Sequence, residues 1–206
     1  MRQGARIAIL TDIHGDEQRL EVVLNDAQAR RCERVVCLGD MVAGRPGDLA
    51  VVRALVARGA LAVQGNHDAS ARLEDPEAQA WLEGLPTEIV ETDTIYTHVS
   101  PREAPTKVLG PDEAWRVLRE VRHRLVFVGH AHRAYLFGER AESYARVTTY
   151  EVDYGRPLRL DPHDRYVVGV GPVTEPRDGV EAIRYGIYDR DQGTLEFRAL
   201  PSPAEG

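Results

Sequence analysis

The sequence predicts an α/β protein in which two β-sheets pack together. Up to residue 63, short apolar runs alternate with segments of helical periodicity, an order that implies parallel strands covered by helices. After about Ala134 the chain changes to short alternating stretches, which are typical of antiparallel strands. No repeat, low-complexity segment or linker divides the 206 residues, so we expect a single domain over residues 1–206.

The amino-terminal part alternates strands and helices. Residues 6–10 are a short apolar run, which predicts a buried strand. Residues 16–31 carry Leu20, Val23, Leu24 and Ala27 at helical spacing, and this pattern predicts a helix. The series continues with a strand at 34–38, a helix at 48–58 that Gly59 ends, and a strand at 60–63.

The later elements are shorter. Helices are predicted at 76–83 and 111–121, the second with proline in its first turn. Two further strands are predicted at 94–98 and 125–129. The carboxy-terminal stretches predict strands at 144–150, 166–170, 182–188 and 195–200.

Composition excludes several classes of protein. Hydrophobic residues make up 43% and charged residues 29%, as in ordinary globular proteins. The net charge of −7 disfavours binding to nucleic acid or an anionic membrane, and no nucleic-acid-binding patch is evident. No signal-peptide pattern or membrane-spanning run of ~20 apolar residues is present, so we expect a cytoplasmic protein. Cys32 and Cys37 are predicted to pack as small apolar residues.

A polar cluster follows each apolar strand in the first two-thirds of the chain. The clusters are Asp12 with His14, Asp40, Asn66 with His67 and Asp68, His98, and His130 with His132. Ligands collect beyond the carboxyl ends of strands in open α/β sheets, so these clusters are expected to converge. Five of the seven histidines belong to them. His123 and His163 do not, and both are predicted to be ordinary surface residues.

The residue types favour a pair of transition metal ions. Oxygen and nitrogen ligands from Asp, Asn and His suit Mn, Zn or Fe, and the lack of cysteine ligands argues against a structural zinc site. Residues two apart on an extended segment point the same way, so Asp12 and His14 can act together. One carboxylate can bridge two cations roughly 3.5–4 Å apart. Each cluster alone also fits a turn or a helix cap; the five together indicate a metal centre.

In this order the motifs resemble those of the calcineurin-like metallophosphoesterases, over residues 6–132. The resemblance implies a four-layer α/β/β/α sandwich of two mixed sheets. It implies that one metal is held by Asp12, His14 and His132, that the other is held by Asn66, His98 and His130, and that Asp40 bridges both. It further implies that His67 acts as the general acid or as a donor to the transferring phosphoryl group.

Finer motifs resemble the small bacterial and archaeal phosphodiesterase-like branch. The stretches GDMVAGRPGD, HVSPRE and RYVVGVGPVTEPRDG carry this resemblance. The protein serine/threonine phosphatases have GDxVDRG instead, and Ala43 and Gly44 replace its second Asp and its Arg. Val99 and the turn at 171–174 depart from the branch pattern, which bears on substrate preference. Residues 70–90 are shorter than the helical insertion of many relatives, so we expect an open site.

The predicted function is hydrolysis of a small phosphodiester, such as a nucleotide, with two divalent transition metal ions. Mn is favoured, and Fe, Zn, Ni and Co are alternatives. Asn66, His67 and Arg102 are predicted to contact the substrate, although Arg102 also fits a solvent-facing residue. One alternative is a phosphomonoesterase, including a protein phosphatase. Another is a binding module without turnover, like a retromer subunit of this fold, but all eight motif positions are filled here. The sequence indicates no protein partner.

Overall fold

The computed structural model describes residues 6–142 and 146–203, which contain five helices and twelve strands. The helices are α1 (Glu17–Ala29), α2 (Asp48–Ala57), α3 (Asn66–Ser70), α4 (Pro76–Glu83) and α5 (Pro111–Glu120). The strands are β1 (Arg6–Leu10), β2 (Arg34–Cys37), β3 (Leu61–Ala62), β4 (Glu88–Val90), β5 (Thr94–Thr97), β6 (Leu125–Val128), β7 (Ala134–Glu139), β8 (Val147–Tyr150), β9 (Pro157–Arg159), β10 (Arg165–Val170), β11 (Ile183–Asp189) and β12 (Thr194–Leu200).

Side-chain caps fix where two of the helices begin. The Asp16 carboxylate accepts a hydrogen bond from the Arg19 N–H at 2.9 Å and starts α1. The Asp75 carboxylate accepts bonds from two N–H groups of the first turn of α4, and Pro76 at the start of this helix has no N–H that would need an acceptor. These caps satisfy amides that a helix leaves unpaired at its start.

The strands form two mixed sheets of six strands each. The first sheet has the order β3-β2-β1-β11-β12-β9, with β1, β2 and β3 parallel and β11 antiparallel to β1. The second has the order β4-β5-β6-β10-β7-β8, with β5, β6 and β10 parallel. The predicted pair of mixed sheets is therefore confirmed.

Three hydrophobic clusters separate four layers. Between the sheets, Ile9 and Leu38 of the first sheet meet Phe127 and Val168 of the second. The outer face of the first sheet packs against α1, α2 and α4, and that of the second against α5. Burial of each such side chain stabilises the folded state by about 1.5–3 kcal/mol relative to leaving it exposed to water. The resulting α/β/β/α sandwich matches the architecture that the family resemblance implied.

The predicted elements lie where expected, with small corrections. Several predicted strands include one residue too many at the carboxyl end. After β2 and β6 the backbone soon turns into left-handed conformations, at Gly39 and Asp40 and at His130. β10 was predicted to be antiparallel, but it pairs parallel with β6 on one side and antiparallel with β7 on the other. The predicted strand at 144–150 begins at Val147 within the described part; residues 144 and 145 lie outside it.

Four short elements were not predicted: α3, β4, β7 and β9. β9 is exposed along its whole length, so it shows no alternation of apolar and polar residues. β7 is almost wholly buried, and its continuous apolar run carries no period of two.

The remaining cysteine and histidine predictions are confirmed with one exception. Cys37 is buried, and Cys32 is half-buried against the same hydrophobic cluster. Burial raises the pKa of Cys32 to about 11. His163 is exposed, but His123 is half-buried and its carbonyl accepts hydrogen bonds from Arg165. Within residues 6–142 and 146–203, no helix is both long and apolar enough to cross a membrane.

Candidate metal centre

The carboxyl ends of β1, β2, β3, β5 and β6 bring the predicted ligands together. Three groups of side chains are candidates to hold a metal ion, and within each group the ligand atoms lie within 4.8 Å of one another. They are Asp12, His14 and His132; His14, Asp40 and His67; and Asp40, His98 and His130. The expected convergence is therefore present, and shared members link the groups.

Most of these residues have an uncommon backbone conformation. Seven non-glycine residues have positive φ in the described part of the chain, and five of them are predicted ligands. These five are Asp12 (55°), His14 (49°), Asp40 (54°), His130 (64°) and His132 (54°). Such conformations cost on the order of 1–3 kcal/mol each and cluster at functional sites. The left-handed turns aim the side chains at one point beyond the strand ends.

Asp12, His14 and His132 form a buried group that presents lone pairs to one another. His132 Nδ1–H donates to the Glu175 carbonyl at 2.7 Å, so Nε2 carries the lone pair. That Nε2 lies 3.3 Å from Asp12 Oδ1 and 3.3 Å from His14 Nε2. Burial lowers the pKa of His14, which keeps its imidazole neutral. Acceptors that face each other in this way create a place for a cation.

The second group is built in the same manner. His98 Nδ1–H donates to the Leu38 carbonyl at 2.8 Å, and Nε2 lies 3.2 Å from both Asp40 Oδ2 and Asn66 Oδ1. Burial alone would lower the pKa of His98, but the hydrogen bond to Asp40 and the charge of Asp12 raise it overall. A metal ion at this position would replace the proton that these oxygens favour.

His130 completes the second group. Its ring centroid lies 5.0 Å from that of His98. Burial and the positive charges of His98 and Lys107 lower the pKa of His130 to about 4. The imidazole is therefore neutral near pH 7, as a metal ligand must be.

Asp40 lies between the two groups. Its Oδ1 accepts a hydrogen bond from the His67 N–H at 2.9 Å, and its Oδ2 faces His98. Burial opposes ionisation, but the hydrogen bond and charge of His98 and the His67 amide outweigh it and lower the pKa of Asp40 to about 2. The carboxylate is ionised and belongs to groups on both sides.

His67 stands at the solvent edge of the centre. Its ring meets that of His14 edge-on at 4.9 Å, and its side chain is exposed. A ring nitrogen lies within reach of His14 and Asp40 ligand atoms. This position suits a group that faces an incoming substrate.

Asp68 ties two of the loops together, a role that sequence analysis missed. Its carboxylate accepts hydrogen bonds from the N–H groups of Asp40, Met41, Val42 and Gly65 at 2.8–3.2 Å. The motif containing Asp68 was noted, but its spacing gives no sign of which amides it binds. The bonds fix the backbone on both sides of Asp40.

The segment after β10 closes over the first group. Thr174 Oγ donates to the Asp12 carbonyl at 3.1 Å, and the Arg177 N–H donates to the His132 carbonyl at 3.0 Å. Together with the Glu175 carbonyl, these contacts hold both ligands from the carboxy-terminal side. The sequence showed a family-like motif here, without indicating that it touches the centre.

Comparison with known proteins identifies the family. The sequence profile of the calcineurin-like phosphoesterase superfamily domain matches residues 5–193. The chain belongs to this superfamily. An uncharacterised protein of Methanocaldococcus jannaschii is 26% identical over 217 residues, which cover 93% of this chain and 85% of that protein.

Solved structures share the fold of this superfamily member. A metallophosphoesterase from Sphaerobacter thermophilus superposes with a TM-score of 0.83 at 26% identity, covering 98% of this chain and 90% of that one. An archaeal phosphodiesterase superposes with a TM-score of 0.58 at 18% identity, covering 95% of this chain and 99% of that one. At 18% identity, the likeness to the archaeal phosphodiesterase shows a shared fold and nothing further.

The superfamily is metal-dependent, and the residues of this chain fit metal ions. Both carboxylate oxygens of Asp12 are buried, and none of the residues described in 6–142 and 146–203 donates a hydrogen bond to them. Burial raises the pKa of Asp12 despite the opposing charges of His98 and His132. A cation beside these oxygens would remove the cost of burying them.

Two arginines near the centre are already engaged by carboxylates. Arg102, predicted to contact the substrate, donates through Nε to Glu120 Oε1 at 2.7 Å. Arg45 forms an ion pair with Glu175, whose carbonyl holds His132. Lys107, which the sequence analysis did not consider, acts electrostatically on His130.

Proposed function

We propose that this protein hydrolyses small phosphodiesters with a pair of divalent metal ions. The position of Asp40 carries the proposal, since its ionised carboxylate belongs both to the group of His14 and to that of His98 and His130. One ion would be held by Asp12, His14 and His132. The other would be held by Asn66, His98 and His130, with Asp40 between them. We infer Mn as the metal and the cytoplasm as the location.

The chain's own groups orient the ligands and the substrate. When bound, two such ions lower the pKa of water and neutralise phosphoryl oxygens that gain charge during in-line attack. The carbonyls of Leu38 and Glu175 set the tautomers of His98 and His132, so that Nε2 is the ligand atom. Both histidines therefore already present Nε2 to the centre.

His67 is the proposed proton donor. It is exposed beside His14, and its amide is fixed by the Asp40 carboxylate, so the ring is directed at the solvent side of the centre. An imidazolium here can give its proton to the leaving alkoxide. Asn66 precedes it on the same short helix, and its Oδ1 lies 3.2 Å from His98 Nε2. We expect the Asn66 side chain to contact a substrate oxygen as well.

Charge favours a diester over a monoester. A monoester dianion is usually held by fixed cations, often arginine forks. Arg102 and Arg45 are each paired with a carboxylate, to Glu120 and Glu175, so neither guanidinium offers its full charge. A singly charged diester therefore matches the centre better.

The proposal is tested by comparing two substrates with one leaving group. With Mn near neutral pH, kcat/KM for bis-nitrophenyl phosphate should equal or exceed that for nitrophenyl phosphate. Because both release nitrophenolate, the ratio reports phosphate charge and pocket shape. A ratio well below one, with a strong loss of monoester activity in Arg102→Ala, would indicate a phosphomonoesterase. No turnover of either substrate would indicate a binding module.

A further inference from the structure

The sequence has 26 cationic Lys and Arg residues, and Lys107 is the single lysine among them. It lies in the segment between β5 and α5, and its side chain is exposed. Within the two described ranges of the chain, no carboxylate forms an ion pair with it. Lysine carries a compact charge on a flexible stem, whereas arginine carries a planar fork, so the two differ in what they bind.

One neighbour anchors Lys107 near the end of β5. The N–H of Thr106 donates to Ser100 Oγ at 2.8 Å, and the Thr106 carbonyl accepts from the Ser100 N–H. Ser100 is itself buried and lies two residues after His98. The segment therefore folds back on the strand that supplies a ligand of the second group.

The other neighbour anchors it near the end of β6. Val108 is fully buried, in the cluster that contains Val128 and Ala131. Those two residues enclose the turn that carries His130. Lys107 is thus held between two fixed points on the His98 and His130 side of the centre, while its side chain extends into solvent.

The ordered neighbours of Lys107 determine where its side chain starts. Thr106 and Val108 fix the backbone on either side of it, so the flexible lysine stem begins beside the ends of β5 and β6. An exposed cation at the edge of a site attracts anionic ligands to it.

We propose that Lys107 contacts an anionic oxygen of the phosphoester substrate on the His130 side of the centre. The inference rests on the proposed function, for which it names one specificity-determining residue. With Arg45 and Arg102 paired to carboxylates, Lys107 supplies one unpaired positive charge where the substrate enters. This positive charge complements an anionic phosphate oxygen.

Chemical modification tests this contact without measuring activity. Pyridoxal phosphate forms an imine with an amine with loss of water, and borohydride reduces the imine to a stable secondary amine. Peptide mapping separates the Lys107 adduct from that of the terminal amine. Millimolar inorganic phosphate should reduce the labelling of Lys107 several-fold in the Mn-loaded protein.

A relocated lysine provides the matched control. The double variant Lys107→Arg/Arg116→Lys moves the single lysine to the exposed face of α5. Position 116 should be labelled with no protection by phosphate. Equal labelling of Lys107 with and without phosphate would overturn the proposal.

Kinetics separate this inference from the proposed function. Lys107→Met should raise KM for bis-nitrophenyl phosphate on the order of tenfold, as expected for loss of a charged hydrogen bond, and should leave the Mn content unchanged. Lys107→Arg should recover part of the loss, and Arg116→Met should behave as wild type. Wild-type turnover with an unchanged KM in Lys107→Met overturns this inference alone. If the wild-type protein turns over no phosphoester, the proposed function fails, and the phosphate-protection result then decides whether Lys107 binds anions.

Discussion

Individual residues at the centre combine ligand chemistry with unusual backbone geometry. Asp12 and Asp40 are buried carboxylates in left-handed conformations, which cost free energy unless something is gained in return. What is gained here is that the ligand side chains come together, because a left-handed turn after a strand directs the next side chain across the end of the sheet. For His98 and His132, the hydrogen bond from Nδ1–H to a backbone carbonyl leaves the Nε2 lone pair directed at the centre.

The first prediction concerns the bridging carboxylate. Asp40→Asn keeps the shape and can still accept the hydrogen bond from the His67 N–H, but it loses the negative charge shared by the two groups. The variant should fold, bind less Mn and lose activity. Elemental analysis, circular dichroism and turnover of bis-nitrophenyl phosphate measure these effects. Asp191→Asn, on an exposed turn, is the control. Near-normal turnover in Asp40→Asn would refute the bridging role.

The second prediction separates proton donation from metal binding. His67→Ala should retain two metal ions and lose roughly 10²–10⁴-fold in rate, the range of general acid–base groups. The loss should be smaller for esters of nitrophenol than for alkyl esters, because nitrophenolate can leave without being protonated. His163→Ala, an exposed histidine on another surface, should be normal. Loss of a metal, or equal defects for good and poor leaving groups, would show that the role is wrong.

At the scale of elements, the loops matter as much as the strands. The turn after β2 and the start of α3 approach so closely that a Cβ on Gly65 would lie 2.2 Å from the Asp40 backbone nitrogen. Asp68 then joins the same two loops through its four amide bonds. Glycine at position 65 is required by this contact between backbones.

The third prediction follows from that contact. Gly65→Ala should force the loops apart, weaken Mn binding and lower the free energy of unfolding by about 1–3 kcal/mol, as for overpacking elsewhere. Gly110→Ala is the matched control, because its φ is extended and its Cβ would meet Glu113 at an ordinary 3.4 Å. Denaturant unfolding and metal titration measure both. An unaffected Gly65→Ala protein would contradict the packing described.

The elements also show what a sequence can and cannot predict. Strands β1, β2, β3, β5 and β6 were predicted because short apolar runs end in polar clusters, and this pattern also located every candidate ligand. The contacts from Thr174 and Glu175 were not predictable. They depend on β10 lying beside β6 in the second sheet while its following loop reaches β1 in the first. This packing joins residues that are far apart in the sequence, and no local pattern of apolar and polar residues indicates it.

At the scale of the whole molecule, the centre joins the two sheets. Asp12, His14, Asp40 and Asn66 follow strands of the first sheet, whereas His98, His130 and His132 follow β5 and β6 of the second. The interior between the sheets is apolar, so the ligands meet only at its edge. Binding of metal ions would connect the sheets and stabilise the fold by an amount that rises with the logarithm of the free ion concentration over the dissociation constant.

The most direct test of the two-metal centre is an anomalous difference map from crystals of the Mn-loaded protein, collected near the Mn absorption edge. Two peaks are expected roughly 3.5–4 Å apart on either side of Asp40. One should lie among Asp12, His14 and His132, and the other among Asn66, His98 and His130. A single peak, or none between Asp40 and the histidines at 130 and 132, would contradict the proposed two-metal phosphoesterase.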